Sequence, residues 1–486
     1  MSGPALGDFL TRLEQGGDLS RVRGPVDPGR ELADLARYAA RLPGGGPVLL
    51  FENVSGASVP VVANLYGSPS RVRALTGGPE EIAKVVSPPS RENAPQWWRS
   101  LLPMAASESA DRPARKVIRI APCQQVVKFG RDLRLAELPI PRLDPSETQP
   151  VIWGTAVWIR DPETGQQHVS SPPVQIVGPQ QIVCRWQEDD PALEFCRRAA
   201  EQHRQLSIGI QIGGDPLWTF ALPLGRLLGI DPAAIVRGLR GEDPEFVRCR
   251  THEVEVPAHA EFVLEAQLDP EVPPEPVAPI LLPTGRMSGS TSYQPATVTA
   301  LTQRGNPLLP VHVIGEPPHE ADVITRESAS LLEFVIRRAV PGVRAYHLVS
   351  DGGLGRVLRV SMTAARPWTA RQIMHALWGH PLFCQVRLIV VVDESVDPTN
   401  DAATWQEIAA WVDWENDVIT INGALHPFDV ESLRAGFGGR LGIDATRKSR
   451  GPKPNSLNGN DEFAARPDLA HIRARWRELG LPSSGE

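Results

Sequence analysis

The 486-residue chain is short of lysine: five occur (Lys84, Lys116, Lys128, Lys448, Lys453), none between 129 and 447, so arginine carries nearly all the positive charge. Chemistry that needs a lysine amine is confined to those positions. Cysteine is equally sparse. Cys123, Cys184, Cys196, Cys249 and Cys384 form no Cys-x-x-Cys pair and are odd in number, which argues against a disulfide framework and a structural zinc site. Long apolar runs are missing too. The strongest, Leu388 to Val392, falls far short of the roughly 18–20 residues that span a bilayer, and Met1 to Gln15 lacks a basic stretch followed by an apolar one. The expectation is a cytoplasmic protein without a membrane partner. Net charge is only −7, with 50 Lys plus Arg against 57 Asp plus Glu and no long run of either sign, so no nucleic-acid partner is expected.

What is present is globular. The length suggests about three domains, and the hydrophobic fraction of 41% rises to about half once glycine is counted, ordinary for a soluble fold. Proline and glycine together stay below the roughly 25–30% of low-complexity chains and should punctuate loops. Leu6, Phe9, Leu10 and Leu13 recur at helical spacing, as do Leu32, Leu35, Ala36 and Ala39. Val48 to Phe51 and Val59 to Val62 then read as strands. From Val117 to about Ile314 the pattern turns β-rich, with helical stretches near Leu193–Gln202 and Pro232–Arg237, and the proline-dense Pro270 to Pro283 reads as a loop. After about Asp322 helix and strand alternate again, and Leu388 to Val392 reads as a fully buried parallel strand. The tail closes with an amphipathic helix, Ala470 to Leu479.

Simple motifs exclude more than they assign. Gly44-Gly45-Gly46, Gly213-Gly214, Gly352-Gly353-Leu354-Gly355 and Gly436-Phe437-Gly438-Gly439 lack phosphate-loop spacing and read as turns, and no GxSxG, HExxH or EF-hand string occurs. His375 and His380 read as core or helix-end histidines, and Asp393, Glu394 and Asp397 as a solvated acidic turn.

A series of phrases along almost the whole chain carries more: Leu49-Leu50-Phe51-Glu52-Asn53-Val54, Pro60-Val61-Val62-Ala63-Asn64-Leu65-Tyr66-Gly67-Ser68, Leu138-Pro139-Ile140-Pro141, Asp161-Pro162-Glu163-Thr164-Gly165, Leu239-Arg240-Gly241-Glu242, Val256-Pro257-Ala258-His259-Ala260-Glu261 and Gly442-Ile443-Asp444-Ala445-Thr446. In order and spacing the chain resembles the UbiD family of (de)carboxylases. The resemblance implies an N-terminal α/β domain (1–115), a central split β-barrel of flavin-reductase type (116–320), a C-terminal α/β domain (321–450) and a tail (451–486) whose helix supports a homodimer or higher oligomer. It also implies prenylated FMN, or FMN, supplied through a flavin prenyltransferase, with a divalent metal such as Mn²⁺ and a potassium ion at the cofactor phosphate. The substrate would be a small unsaturated or heteroaromatic carboxylic acid, and the cofactor the electron sink.

The site residues depart from that pattern. Where the family has an asparagine and, five residues on, an arginine, this chain has His168 and Pro173; the resemblance implies Ser170, Ser171, Gln175 and Arg185 as cofactor contacts. The family's acidic Glu-Gly-Pro-x-Gly-[Asp/Glu] string matches Val277 to Leu282, so both acids are gone, with Glu275 a candidate displaced acid and Arg286, Ser288, Ser290, Thr291 and Tyr293 candidate substitutes. The resemblance implies a metal set of His168, Asp189 and Glu245 and a cofactor-contacting cation at Arg387 in place of the family's lysine. Loss of a general acid removes a contribution of about 10²–10⁴-fold. Three readings stay open: a UbiD-type flavoenzyme with altered chemistry, a non-catalytic or accessory subunit, and a cofactor-independent enzyme using the same cavity with His168 and Glu245 as acid and base.

Overall fold

The computed structural model describes residues 5–86, 115–187, 190–349, 355–363, 368–380, 382–425 and 437–448. The chain divides into the units Met1–Thr446 and Arg447–Glu486. The expected tail helix Ala470–Leu479 lies outside the described residues.

The first helix, Leu6–Gln15, buries the four side chains its spacing brings to one face, Leu6, Phe9, Leu10 and Leu13. The second, Leu32–Arg41, buries Leu32 and three alanines, a narrow face that lets it lie close to its neighbours. Between and after them a four-stranded mixed sheet runs Leu19–Val22, Val48–Phe51, Val61–Ala63, Leu309–Pro310. Its last strand arrives from far along the chain and pairs parallel with Val61–Ala63. This stitches the N-terminal layer to the region behind it, and the two share one core in which Leu10, Val62 and Tyr66 belong with Trp158, Trp218 and Phe246.

The centre is a nine-stranded antiparallel sheet in the order Val151–Ile152, Val174–Gly178, Gln181–Cys184, Ala296–Gln303, Phe262–Leu268, Leu206–Ile212, Ala156–Arg160, Gln167–Ser170, with Val126–Phe129 also paired to Ala296–Gln303. Three helices cover it: Pro191–Glu201 and Pro232–Arg240, each capped by the aspartate before its proline, and Trp218–Leu228. Sequence periodicity misses Trp218–Leu228, because the helix is apolar nearly all round and carries Pro223 in its interior. The proline-dense segment is not wholly loop. Glu275–Val277 pairs with Thr291–Tyr293 as a two-stranded ribbon, where Pro276 can sit because a ribbon edge does not need its missing N–H.

The C-terminal sheet runs Val343–Val349, Val357–Met362, Leu388–Asp393, Phe437–Asp444, Val418–Ala424. Leu388–Asp393 is its middle strand, parallel to both neighbours, with Ile389 to Val392 buried, as the unbroken apolar run implied.

Candidate functional site

A cavity of about 330 Å³ opens between the N-terminal layer, the central sheet and the helix Trp218–Leu228. Its apolar walls come from Leu65, Tyr66, Trp153, Pro172, Pro173, Trp218, Leu222 and Ile324, and its polar lining includes Arg185, Asp190, Asp215, Arg226 and His312. The volume suits a small organic ligand and the mixture of walls suits a flat apolar group with an anionic end.

Arg185 follows the strand Gln181–Cys184, which pairs antiparallel with Val174–Gly178 so that Cys184 faces Val174. The pairing carries on one step, and the Arg185 N–H donates to the Pro173 carbonyl at 2.9 Å. A guanidinium therefore stands across the strand from the position where the resemblance lacks one. It is held on all sides: Nη1 donates to Gln175 Oε1 at 2.8 Å and to the Ala278 carbonyl at 3.2 Å, Nη2 to Ser288 Oγ at 3.2 Å, and the guanidinium carbon lies 4.7 Å from the centre of the Tyr293 ring. Gln175, fully buried, also donates to Gln149 Oε1 and to the Ala278 carbonyl. Burial lowers the Arg185 pKa from its ordinary value, opposed by Tyr293, which leaves a charged guanidinium because arginine titrates so far above neutrality.

Ser170 and Ser171 line the cavity as well. The Ser170 hydroxyl accepts from Trp186 Nε1 at 3.0 Å, and the Ser171 hydroxyl donates to the Thr155 carbonyl at 2.5 Å. The expected cofactor contacts Ser170, Ser171, Gln175 and Arg185 thus gather at one wall. Arg387 does not join them. It leads into the strand Leu388–Asp393, where its N–H donates to the Arg356 carbonyl, and it is not among the lining residues.

His168 lies next to this wall, with Nε2 3.5 Å from Asp190 Oδ1 and its ring edge-on to Phe195. Burial pushes Asp190 up, but the His168 contact, the Ala192 N–H it accepts and the charge of Arg226 together bring its pKa below the ordinary carboxylate value. Two of the three residues of the expected metal set are described, and each has its own surroundings. Asp189 lies outside the described residues. Glu245 is bonded by Lys116 Nζ at 2.8 Å and His259 Nε2 at 3.1 Å, and Lys116, then His259, hold its carboxylate below the usual range against burial. His168 Nε2 is buried without a hydrogen bond, 3.5 Å from Asp190, and Glu245 is held by two cations; among the described residues these donors do not form a group of three within reach of one ion, and no step is derived through one.

The two expected catalytic residues on the ribbon are also elsewhere. Glu275 is exposed and paired across the ribbon with Tyr293, and Arg286 is exposed on the connecting loop; neither lines the cavity. Leu282 fills a small core with Val151 and Ile280. Of the candidate substitutes, Ser288 and Tyr293 meet Arg185, Ser288 as hydrogen-bond acceptor and Tyr293 through its ring.

Sequence reasoning missed Tyr66, Asp190, Asp215, Arg226 and His312. The Tyr66 hydroxyl accepts from Thr219 Oγ1 at 2.8 Å and donates to the Pro216 carbonyl at 3.3 Å, and burial pushes its pKa up. Asp215 is clamped by Arg240 at 2.8 and 2.5 Å and accepts the Leu217 N–H just ahead of the helix Trp218–Leu228. His312 packs 5.3 Å from the Tyr66 ring, and burial lowers its pKa to about 4, so it is neutral at pH 7. A Cβ on Gly154, whose φ is +75°, would lie 2.6 Å from that imidazole. Of these, Asp190 and Asp215 left a trace in the sequence, as Asp-Pro pairs ahead of helices, and Tyr66 as part of a family-like phrase.

Family models match at residues 10–87, 115–317 and 324–445, described as the N-terminal, Rift-related and C-terminal domains of 3-octaprenyl-4-hydroxybenzoate carboxy-lyase. The chain belongs to the UbiD family. Among solved structures, the UbiD-class enzyme HmfF from Pelotomaculum thermopropionicum in complex with FMN is 26% identical, covers 97% of this chain and 99% of its own, and superposes with a TM-score of 0.78. An evolved dimeric form of HmfF, in complex with prFMN, is 26% identical over 95% of this chain and 99% of its own, with a TM-score of 0.74. The vanillic acid decarboxylase of Sedimentibacter hydroxybenzoicus, in closed form, shares the fold at 23% identity, 99% coverage of both chains and a TM-score of 0.79. Among the described residues no helix is long and apolar enough to cross a membrane.

Proposed function

We propose that the chain binds a flavin mononucleotide, prenylated or not, in the cavity beside Arg185, and acts as a carboxy-lyase on a small unsaturated or heteroaromatic acid. The observation that carries this reading is Arg185 itself, a buried guanidinium at a largely apolar wall, anchored by Gln175, Ala278, Ser288 and Tyr293. The cavity residues fit a flavin: Trp153, Pro172, Pro173 and Trp218 offer flat apolar surface for a ring system, and Arg185 and Arg226 offer positive charge for an anionic group. When bound, a prenylated flavin supplies the electron sink for cleaving the carbon–carbon bond to the carboxylate.

The protein's own part is placement and proton control. The apolar walls exclude water, and the arginines orient carboxylate or phosphate oxygens. Tyr66 and neutral His312 are the lining groups able to hold a proton near the reacting carbon, which the lost acids cannot. HmfF, solved with FMN and in an evolved dimeric form with prFMN, supports both the cofactor and a homo-oligomer.

The test is co-expression with a flavin prenyltransferase, then absorbance and mass spectrometry of the purified chain, followed by carbon dioxide release from a panel of acrylic and heteroaromatic acids. Bound flavin with turnover is the expected result. A colourless, flavin-free protein overturns the reading and favours an accessory or cofactor-independent role.

A further inference from the structure

Away from the cavity, one group of side chains has the donor chemistry of a metal centre. Cys249 and His252 stand three residues apart in the turn that joins the antiparallel strands Glu245–Arg248 and Glu255–Pro257. Glu265 faces them from the strand Phe262–Leu268 of the central sheet. A thiol sulfur, a ring nitrogen and a carboxylate oxygen lie within 4.8 Å of one another, the only such group of three found among the described residues.

The surroundings orient these donors. The Cys249 N–H donates to the Val254 carbonyl at 2.9 Å and closes the turn. The Glu265 oxygens accept the N–H of Arg250 at 2.8 Å, the N–H of Thr251 at 2.7 Å and the Thr251 hydroxyl at 2.8 Å. Three bonds fix the carboxylate plane yet leave acceptor capacity, since an ionised carboxylate has about four lone-pair sites. The Ile208 backbone and the Glu265 and Glu253 carboxylates are the polar groups that bear on the His252 ring. The ring lies within reach of the Ile208 backbone, but Nε2 is buried with no hydrogen bond of good geometry, and Nδ1 receives only a long 3.4 Å contact from the Val254 N–H. A buried ring nitrogen left this way is disfavoured unless something else binds it. Beneath the turn, a Cβ on Gly209 would meet Val256 at 2.7 Å and Cys249 Sγ at 3.3 Å, so a glycine in the strand Leu206–Ile212 lets the turn settle onto the sheet.

We propose that Cys249, His252 and Glu265 form a zinc site that pins this turn to the central sheet, separate from the cavity. Zinc takes thiolate, imidazole and carboxylate together in a tetrahedral set, with water in the fourth position. Magnesium and calcium prefer all-oxygen sets and are not expected. On binding, the Cys249 thiol gives its proton to solvent and a sulfur–zinc bond forms. The charges of Zn²⁺, one thiolate and one carboxylate then sum to zero, which suits a buried position. Thr251 and Glu253 are exposed in the same turn, so the ion has a path from solvent.

The full chain, stripped with a chelator, is titrated with Zn²⁺ against a chromophoric competitor, and in parallel with Co²⁺ while the near-ultraviolet spectrum is followed. The expected result is one zinc per chain, a sulfur-to-cobalt charge-transfer band, and affinity at least tenfold weaker in both Cys249→Ser and His252→Asn, with His168→Gln unchanged. Thermal melts should rise with Zn²⁺ in the parent and not in the two variants. If either variant fails to fold, the cobalt band of the parent decides. No stoichiometric zinc, a cobalt complex without the sulfur band, or zinc bound as tightly by Cys249→Ser overturns the proposal.

Discussion

Replacing Arg185 with methionine removes the cation that joins the ribbon Glu275–Val277/Thr291–Tyr293 to the cavity wall. Methionine keeps the length and apolar character of the stem while deleting three hydrogen bonds, to Gln175, Ala278 and Ser288, and the contact with the Tyr293 ring. Bonds from a charged group are worth roughly 1.5–3 kcal/mol each at most, and a desolvated cation–π contact about 2 kcal/mol. Against this stands the cost of keeping the guanidinium buried, which the variant no longer bears. The Ala278 carbonyl also keeps the Gln175 amide as a donor, so a net loss of about 3 kcal/mol is a fair expectation. That loss is local, so the assay should be local: hydrogen exchange at amides whose bonds depend on the docked loop. These are Ile280, donating to Ser288 Oγ at 3.0 Å, Leu281, donating to Glu147 Oε1 at 2.9 Å, and Ser288, donating to the Ile280 carbonyl at 2.8 Å. With 1.36 kcal/mol per decade, exchange there should quicken on the order of 100-fold, while amides of the C-terminal strand Leu388–Asp393 stay unchanged. Arg185→Lys should fall between the two, because an ammonium keeps the charge but not the fork. Unaltered exchange at Ile280, Leu281 and Ser288 in the methionine variant would refute the reasoning.

Three further outcomes follow from the same geometry. Burial holds Glu320 and Glu261 up to about 7, against the Tyr66 N–H and Arg71 charge in the first case and the Leu308 N–H and Arg304 charge in the second. An unfolded glutamate titrates near about 4.3, so between roughly pH 4.5 and 7 the folded chain keeps protons that the unfolded chain has released, and stability should fall as pH rises through that window, then level off. Urea midpoints across it should show this slope, shallower in Glu320→Gln; an equal slope in that variant sinks the assignment. Glu245→Ala should leave flavin occupancy unchanged and cost under about 1 kcal/mol, because its partners Lys116 and His259 reach solvent; a drop in bound flavin would return it to the cofactor site. Gly154→Ala should destabilise by about 2–4 kcal/mol from the positive φ and the clash with the His312 ring, seen as a lower melting temperature, and a melt within a degree of the parent would remove His312 from its stated position.

Much of the scaffold was legible because burial writes itself into local patterns. The four-residue face of Leu6–Gln15 and the unbroken run ending at Val392 each have one physical solution, an amphipathic helix and a parallel strand covered on both faces. The helix Trp218–Leu228 has no such pattern, since a segment buried nearly all round shows no contrast between faces, and Pro223 reads as a break. That one omission hid Trp218, Thr219, Leu222 and Arg226, all of them cavity residues. The zinc ligands were hidden for another reason: a Cys-x-x-His pair completed by a glutamate thirteen residues beyond the histidine matches no spacing rule until Phe262–Leu268 is laid beside the turn.

The arginine at the site shows most clearly what counting along the chain cannot resolve. By position, Pro173 is a loss, and a chain without that arginine reads as a damaged enzyme. In an antiparallel pair, though, neighbours on adjacent strands are as close as neighbours in sequence, and what a ligand meets is a face of the sheet. Arg185 donates its backbone N–H to Pro173, so its side chain serves the same stretch of wall from the adjoining strand. Gln175, two residues from Pro173, turns its amide oxygen to that guanidinium. A positive charge therefore stands at the stretch of wall where Pro173 lies, carried by the adjoining strand. At the positions where the resemblance expects acids, Leu282 is packed into core, and the candidate displaced acid Glu275 is exposed and not among the cavity lining. The carboxylates that do line the cavity are engaged, Asp190 beside His168 and Asp215 clamped by Arg240, so on the proposed reading proton handling falls to Tyr66 and His312.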